Sequence, residues 1–403
     1  MSHTPAPHLT VVTSAFPPQV SGSTILLANL LQHYPGEVRA IAGYIYYAAG
    51  SDPAFTPPCP TSRLVFPRRF PRLWDRLRRR LPFMSYHYLQ RAIQRKMREI
   101  NTSVVFGVYP DGVHLVTAFL VAQQLRLPFY AQMHDLWLEN TPRGTASRRL
   151  ATLWEPRILC HATRVLCMTE AMQKHYEKKY DIQTELLPHC IADDDLSSAP
   201  TVLRPPQRKR PTVLFVGGVS DQMNLDALKV LAEASELLPQ EYELLFCTSL
   251  DQKSLAHRGI RSSRLHVQYV SRAEVQRLQG EVDVLVAPLS HKNGSPDEVR
   301  TVFSTKLLEY LIAGRPIVVF APYDSYHATS AKQKGWGYVV TEDSPQALAA
   351  AIQQVATNTT LAASLVQGAL REALTRRASY HANRLYEWVQ EDTVRAHAHQ
   401  SHV

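Results

Sequence analysis

The chain has 403 residues, 45% apolar and 20% charged, which excludes global disorder and leaves room for two cores of roughly 200 residues each. Its net charge of +9 suits anionic partners such as nucleotides, phospholipid surfaces or nucleic acid, without choosing among them. The five scattered cysteines, Cys59, Cys160, Cys167, Cys190 and Cys247, form no CxxC pair, so neither a zinc site nor a disulfide framework is expected. Along the chain, residues 1–9 lack the basic-then-apolar pattern of a signal peptide. No apolar run reaches the ~20 residues that span a bilayer. The expected location is cytoplasmic, free or peripheral on the inner membrane face.

The first half alternates strand and helix. Strands are expected at 8–13, 37–43, 63–66, 103–107, 128–133, 164–168 and 184–187. Helices are expected at 24–32, 86–100, 111–125, 148–161 and 170–179. Such alternation argues for a parallel sheet covered on both faces. Between these elements, Arg68, Arg69, Arg72, Arg76, Arg78, Arg79 and Arg80 interleave with Phe70, Leu73, Trp74, Leu77 and Leu81. That pattern fits a basic amphipathic segment on an anionic membrane surface, or a solvated helix whose apolar side packs on the protein. It lacks the recognition helix or aromatic-rich sheet of a nucleic-acid binder, so no nucleic-acid partner is expected.

Residues 197–210 carry Pro200, Pro205, Pro206, Arg204, Arg208, Lys209 and Arg210 without an apolar period, and read as a linker. The expected domains are therefore 1–200 and 201–377, with a last helix, about 378–403, returning to the first domain. In the second half, strands are expected at 212–216, 242–248, 265–270, 282–287 and 317–321. Helices are expected at 225–237, capped by Asn224, at 304–313, stopped by Gly314 and Pro316, and at 345–356. A longer helical pattern at 365–391 breaks near Ser379. The fold class is α/β: two doubly wound, Rossmann-like domains facing across a cleft. Ligands of such sheets bind at the carboxyl ends of the strands.

The richest stretch is Arg300 to Pro316. There a loop feeds the start of a short helix whose free N–H groups favour an anion. Lys306 in its first turn opposes the helix dipole unless an anion sits there. Glu309, three residues on, shares a face with Lys306 and can accept bonds from ribose hydroxyls. A surface helix with one Lys–Glu pair fits the same residues equally well.

The stretch Phe303-Ser304-Thr305-Lys306-Leu307-Leu308-Glu309-Tyr310-Leu311-Ile312-Ala313-Gly314-Arg315-Pro316 resembles the signature of retaining GT-B glycosyltransferases, family four above all. Further pieces fall in matching order. They are Phe16-Pro17-Pro18 with Ser21-Gly22, His134-Asp135-Leu136-Trp137, Met168-Thr169-Glu170, Leu187-Pro188-His189, Phe215-Val216-Gly217-Gly218 and Val282 to Pro288. The resemblance implies a GT-B fold and a hexosyltransferase of polysaccharide or related biosynthesis. Its donor would be a nucleotide-sugar and its acceptor a glycan, lipid-linked or small molecule, with no cofactor and no metal. It implies that Glu309 holds the ribose, and that Ser304, Thr305 and Lys306 hold the diphosphate. Gly217 and Gly218 open the nucleotide domain, and Val270 meets the base. His134 and the Gly22 loop face the transferred sugar. Lys306 and Arg300 are the cations that would stabilise the leaving diphosphate. The chain departs from the family at three points. Thr301 stands where the first of two glutamates belongs, residues 218–224 carry no cation, and Lys306 replaces a proline. Two other readings stand beside the transferase: a sugar-nucleotide epimerase of the same fold, and a non-catalytic GT-B subunit.

Overall fold

The computed structural model describes residues 6–43, 51–64, 86–203, 205–292 and 295–400. The arginine-rich segment at 68–80, and with it the membrane-surface reading, lies outside the described residues. The chain divides into two compact units, one of Met1–Ala192 with Ala378–Val403, the other of Asp193–Arg377. The division precedes the proline-rich stretch. Pro200 packs inside the second unit, under Gly314.

The first unit holds a seven-stranded sheet. Its strands are β1 (His8–Thr13), β2 (Glu37–Ala42), β3 (Thr61–Arg63), β4 (Val104–Tyr109), β5 (Phe129–Met133), β6 (Arg164–Cys167) and β7 (Glu185–Leu186). They lie in the order β3-β2-β1-β4-β5-β6-β7, all parallel. β4 shows why a parallel sheet forms here. Every residue of Val-Val-Phe-Gly-Val-Tyr is buried, so both of its faces must be covered. Val105 and Tyr109 join the core on one face, with Phe119, Phe129 and Trp137. Val104, Phe106 and Val108 join the core on the other face, to which the helix Ala378–Gln400 adds Ala382, Leu385, Trp388 and Val389.

The second unit holds a six-stranded sheet. Its strands are β8 (Thr212–Val216), β9 (Glu243–Cys247), β10 (Leu265–Gln268), β11 (Val284–Pro288), β12 (Ile317–Phe320) and β13 (Tyr338–Val340). The order is β10-β9-β8-β11-β12-β13, again all parallel. Each sheet reverses its winding once, between β1 and β4 and between β8 and β11. These are the switch points where open sheets of this kind bind ligands.

Helix starts are set by side-chain caps. Asp111 accepts the Val113 and His114 N–H groups, Thr169 that of Met172, and Ser325 that of Ala328. The helix Thr305–Leu311 ends through Gly314 at φ +69°, where an added Cβ would lie 2.7 Å from the Pro200 Cβ. Gly314→Ala is therefore expected to destabilise the second unit by about 1–2 kcal/mol from backbone strain, plus the displacement of Pro200. Thermal unfolding of the variant beside wild type measures it. The long C-terminal pattern divides into helices Thr359–Leu374 and Ala378–Gln400, with the break at residues 375–377.

Candidate functional site

In the second unit, the loop after β8 and the turn before the helix Thr305–Leu311 close on one cavity. It has a volume of about 230 Å³, and Gly217, Gly218, Asn224, Ser304, Lys306 and His327 are among the residues that line it. Tyr310 brings the two segments together, since its hydroxyl accepts the Val216 N–H at 2.9 Å. The helix is thereby tied to the end of β8, with Ser304, Thr305 and Lys306 beside the glycines. Gly217 has φ of +152°, and without a side chain its backbone can approach a ligand closely.

Asn224 shapes the loop. Its Oδ1 accepts the Ser220 N–H at 2.9 Å and its Nδ2 donates to the Gly218 carbonyl at 3.0 Å. It occupies the cap position of the helix Leu225–Leu237, yet its side chain makes no cap bond, because it is spent on the loop. Although residues 218–224 contain no cation, Arg258 reaches them from elsewhere. It donates to the Val219 carbonyl at 3.1 Å and pairs with Asp221 at 3.3 Å.

Ser304 likewise stands at a cap position with no side-chain cap bond. Its N–H donates to Nε2 of His327 at 3.1 Å. His327 is buried, and burial holds its pKa down to about 4, so the ring is neutral. The Leu307 N–H donates to the Ser304 carbonyl at 3.0 Å, while the Thr305 and Lys306 amides have no acceptor within the helix. Among the described residues lining this cavity, Lys306 is the one cation. Free amides and an ammonium around a small cavity suit the oxygens of a diphosphate.

The structure thus brings Gly217, Gly218, Ser304, Thr305 and Lys306 to one cavity. Glu309 lines a different one, of about 310 Å³, with Gln276, Gln279, Gly280 and Pro200. The Gln279 amide donates to its carboxylate at 3.2 Å. The shared face expected for Lys306 and Glu309 is therefore corrected. Three residues advance a helix by about 300°, so the side chains diverge by about 60°, and here that turns them into separate cavities. Arg300 is a second correction. It pairs with Asp324 at 2.7 Å and Asp297 at 3.4 Å on the surface, and lines neither cavity. Val270 also lines neither. β10 stops at Gln268, and the next helix begins behind a capping box of Ser271 and Glu274.

In the first unit, His134 follows β5 and is buried, and burial brings its pKa down to about 4. Its ring lies 5.6 Å from that of His189, a residue the sequence marks only as part of the family pattern. The loop beyond is firmly anchored. The Trp137 N–H donates to the Tyr176 hydroxyl at 3.2 Å, and the Leu138 N–H to the Glu155 carboxylate at 2.7 Å. Lys179 reaches both Glu155 and Glu139. Burial alone would raise the Glu139 carboxyl, but bonds from His175 and Lys179 outweigh it and bring the pKa to about 2. Gly22 opens the helix Gly22–Gln32, after β1, behind a capping box of Ser21 and Thr24. Nothing in the sequence singles out His327 or the Asn224 loop bonds, because both depend on contacts between distant segments.

Two parallel Rossmann-like sheets, the second with a cavity holding Lys306 at its switch point, give the fold class of the GT-B proteins. Residues 11–186 match the model described as "Glycosyl transferase 4-like domain", and residues 210–358 match "Glycosyl transferases group 1". Together these span most of the chain, which belongs to the glycosyltransferases of GT-B fold and resembles family four. No curated protein matches it in sequence. Solved structures share its fold at low identity. Sucrose-phosphate synthase from Thermosynechococcus elongatus is 16% identical, with a TM-score of 0.65 over 96% of this chain and 98% of that one. Anabaena HepE, solved in complex with UDP, is 15% identical, with a TM-score of 0.66 over 96% and 100%. An α,α-trehalose-phosphate synthase from Burkholderia vietnamiensis is 12% identical, with a TM-score of 0.65 over 97% and 99%. No helix among the described residues is long and apolar enough to cross a membrane.

Proposed function

We propose that this glycosyltransferase takes a sugar from a nucleotide-sugar and transfers it, with retention of configuration, to a glycan, lipid-linked or small-molecule acceptor. One observation carries the reading. Gly217, Gly218, Ser304, Thr305 and Lys306 line one cavity at the end of β8, where a leaving diphosphate would gain an ammonium and backbone N–H donors. Glu309 holds the ribose from the separate cavity it lines, where the Gln279 amide donates to its carboxylate. His134 and the Gly22 loop, in the first unit, serve the transferred sugar and the acceptor. Arg300, held by two carboxylates, takes no part. The basic segment at 68–80 supplies the contact with an anionic membrane surface when the acceptor is lipid-linked.

Calorimetry against UDP, GDP, ADP, TDP and CDP tests the donor site. HepE is also solved with UDP-glucose, which puts a uridine nucleotide first in the panel. One nucleotide is expected to bind and stabilise the fold against heat. Glu309→Ala is expected to weaken it about 10-fold, the loss of bonds to a charged acceptor. A folded wild type that binds none of the five contradicts the reading.

A further inference from the structure

We infer that His327 is a positioning residue for the diphosphate turn: through Nε2 it holds the Ser304 N–H and so fixes Ser304, Thr305 and Lys306 against the cavity. The inference rests on the donor-site reading above and adds to it a residue from outside the signature stretch.

The placement of His327 is over-determined. It sits in the first turn of the helix Tyr326–Lys334, whose cap Ser325 accepts the Ala328 N–H at 3.1 Å and donates its own N–H to the Pro322 carbonyl at 3.0 Å. Its ring meets Phe303 edge-on, with centroids 5.9 Å apart and planes at 85°. Phe303, the residue before Ser304, is itself buried, with the Arg376 guanidinium 3.9 Å above its ring and Trp336 at 6.1 Å. The turn is thus held by packing before Ser304 and by a hydrogen bond at Ser304.

Hydrogen-bond logic assigns the tautomer. A backbone amide only donates, so Nε2 presents its lone pair and the ring proton is on Nδ1. Nδ1 is buried and has no partner among the described residues. An unpaired, dry Nδ1–H carries a cost, which the bond from the Ser304 N–H to Nε2 and the packing on Phe303 offset. The Ser304 N–H is thereby occupied. The donors left for a phosphate are then the Thr305 and Lys306 amides and the Lys306 ammonium. An imidazolium at this position would set an N–H against the Ser304 N–H and release the turn.

Three substitutions separate the two nitrogens. His327→Gln places an amide oxygen near the Nε2 position, His327→Asn places polar atoms near Nδ1, and His327→Phe keeps the ring without either. Affinity for the nucleoside diphosphate that wild type binds is read by calorimetry, with thermal unfolding as the check on folding. Phe and Asn are expected to weaken binding about 10-fold or more, and Gln to stay within about 3-fold of wild type. Equal loss in Gln and Phe, recovery in Asn, or wild-type binding by Phe overturns the inference. A 15N-histidine spectrum of wild type serves where a variant does not fold. An unprotonated, hydrogen-bonded Nε2 on His327 is expected, and a protonated Nε2 contradicts it. A wild type that binds no nucleoside diphosphate removes the donor-site reading, and this inference with it. A binding wild type whose Gln variant shows no recovery removes this inference alone.

Discussion

Lys306→Ala is expected to lower kcat/KM for sugar transfer by about 100- to 1000-fold, the usual loss when one preorganised donor to a developing anion is removed. Negative charge grows on the diphosphate as the glycosidic bond breaks. Lys306 is the cation lining the cavity among the described residues, so no neighbour there takes over its charge. Most of the loss should fall on kcat, because the charge is greatest in the transition state. Arg300→Ala is the matched control. Its side chain is 49% exposed and engaged by Asp297 and Asp324, so its removal is expected to change kcat/KM by less than about 3-fold. Steady-state kinetics on the two variants and wild type separate the roles. A large effect of Arg300 with a small one of Lys306 would reverse the assignment.

Acid is expected to destabilise both units, chiefly through one fully buried histidine in each, with His8 and His291, also lowered by burial, adding in the same direction. His134 in the first unit and His327 in the second have folded pKa values of about 4, against 6.5 for an exposed histidine. Between those values the unfolded chain binds the proton and the folded chain does not. Stability is therefore full above about pH 6.5 and falls as the pH drops toward 4, by about 1.4 kcal/mol per pH unit per histidine. The total is on the order of 3 kcal/mol for each. Glu139 adds the opposite kind of group. Its folded pKa of about 2 contributes stability above the normal carboxylate range that is lost only at lower pH. Denaturant unfolding at pH 7 and pH 5, followed for each unit, measures the slope. His134→Asn should flatten it for the first unit alone. A slope that survives in both histidine variants would place the acid sensitivity elsewhere.

The doubly wound sheets are legible because apolar runs such as Val104 to Val108 lie between helical patterns, the following one capped by Asp111, and each local signal agrees with the fold. The cavity was legible in part. Gly217, Gly218 and Ser304 to Lys306 carry their chemistry in the local sequence. Arg300 misled because its charge is visible in the sequence while its partner Asp324 arrives through a separate loop. The three-residue spacing of Lys306 and Glu309 sets their side chains about 60° apart on the helix, near enough to read as one face, and does not show which cavity each one lines. The short helices Gln252–His257, Pro296–Thr301 and Tyr326–Lys334 have too few turns to show an apolar stripe, so no local signal marks the last of them or its His327.

The most direct test is a crystal structure of the protein with the nucleoside diphosphate that calorimetry selects. The diphosphate is expected in the cavity of Gly217, Gly218 and Ser304 to Lys306, with Lys306 Nζ on a phosphate oxygen and the Ser304 N–H still on His327. A diphosphate bound away from Lys306, with the nucleotide seated elsewhere in the second unit, would contradict that expectation.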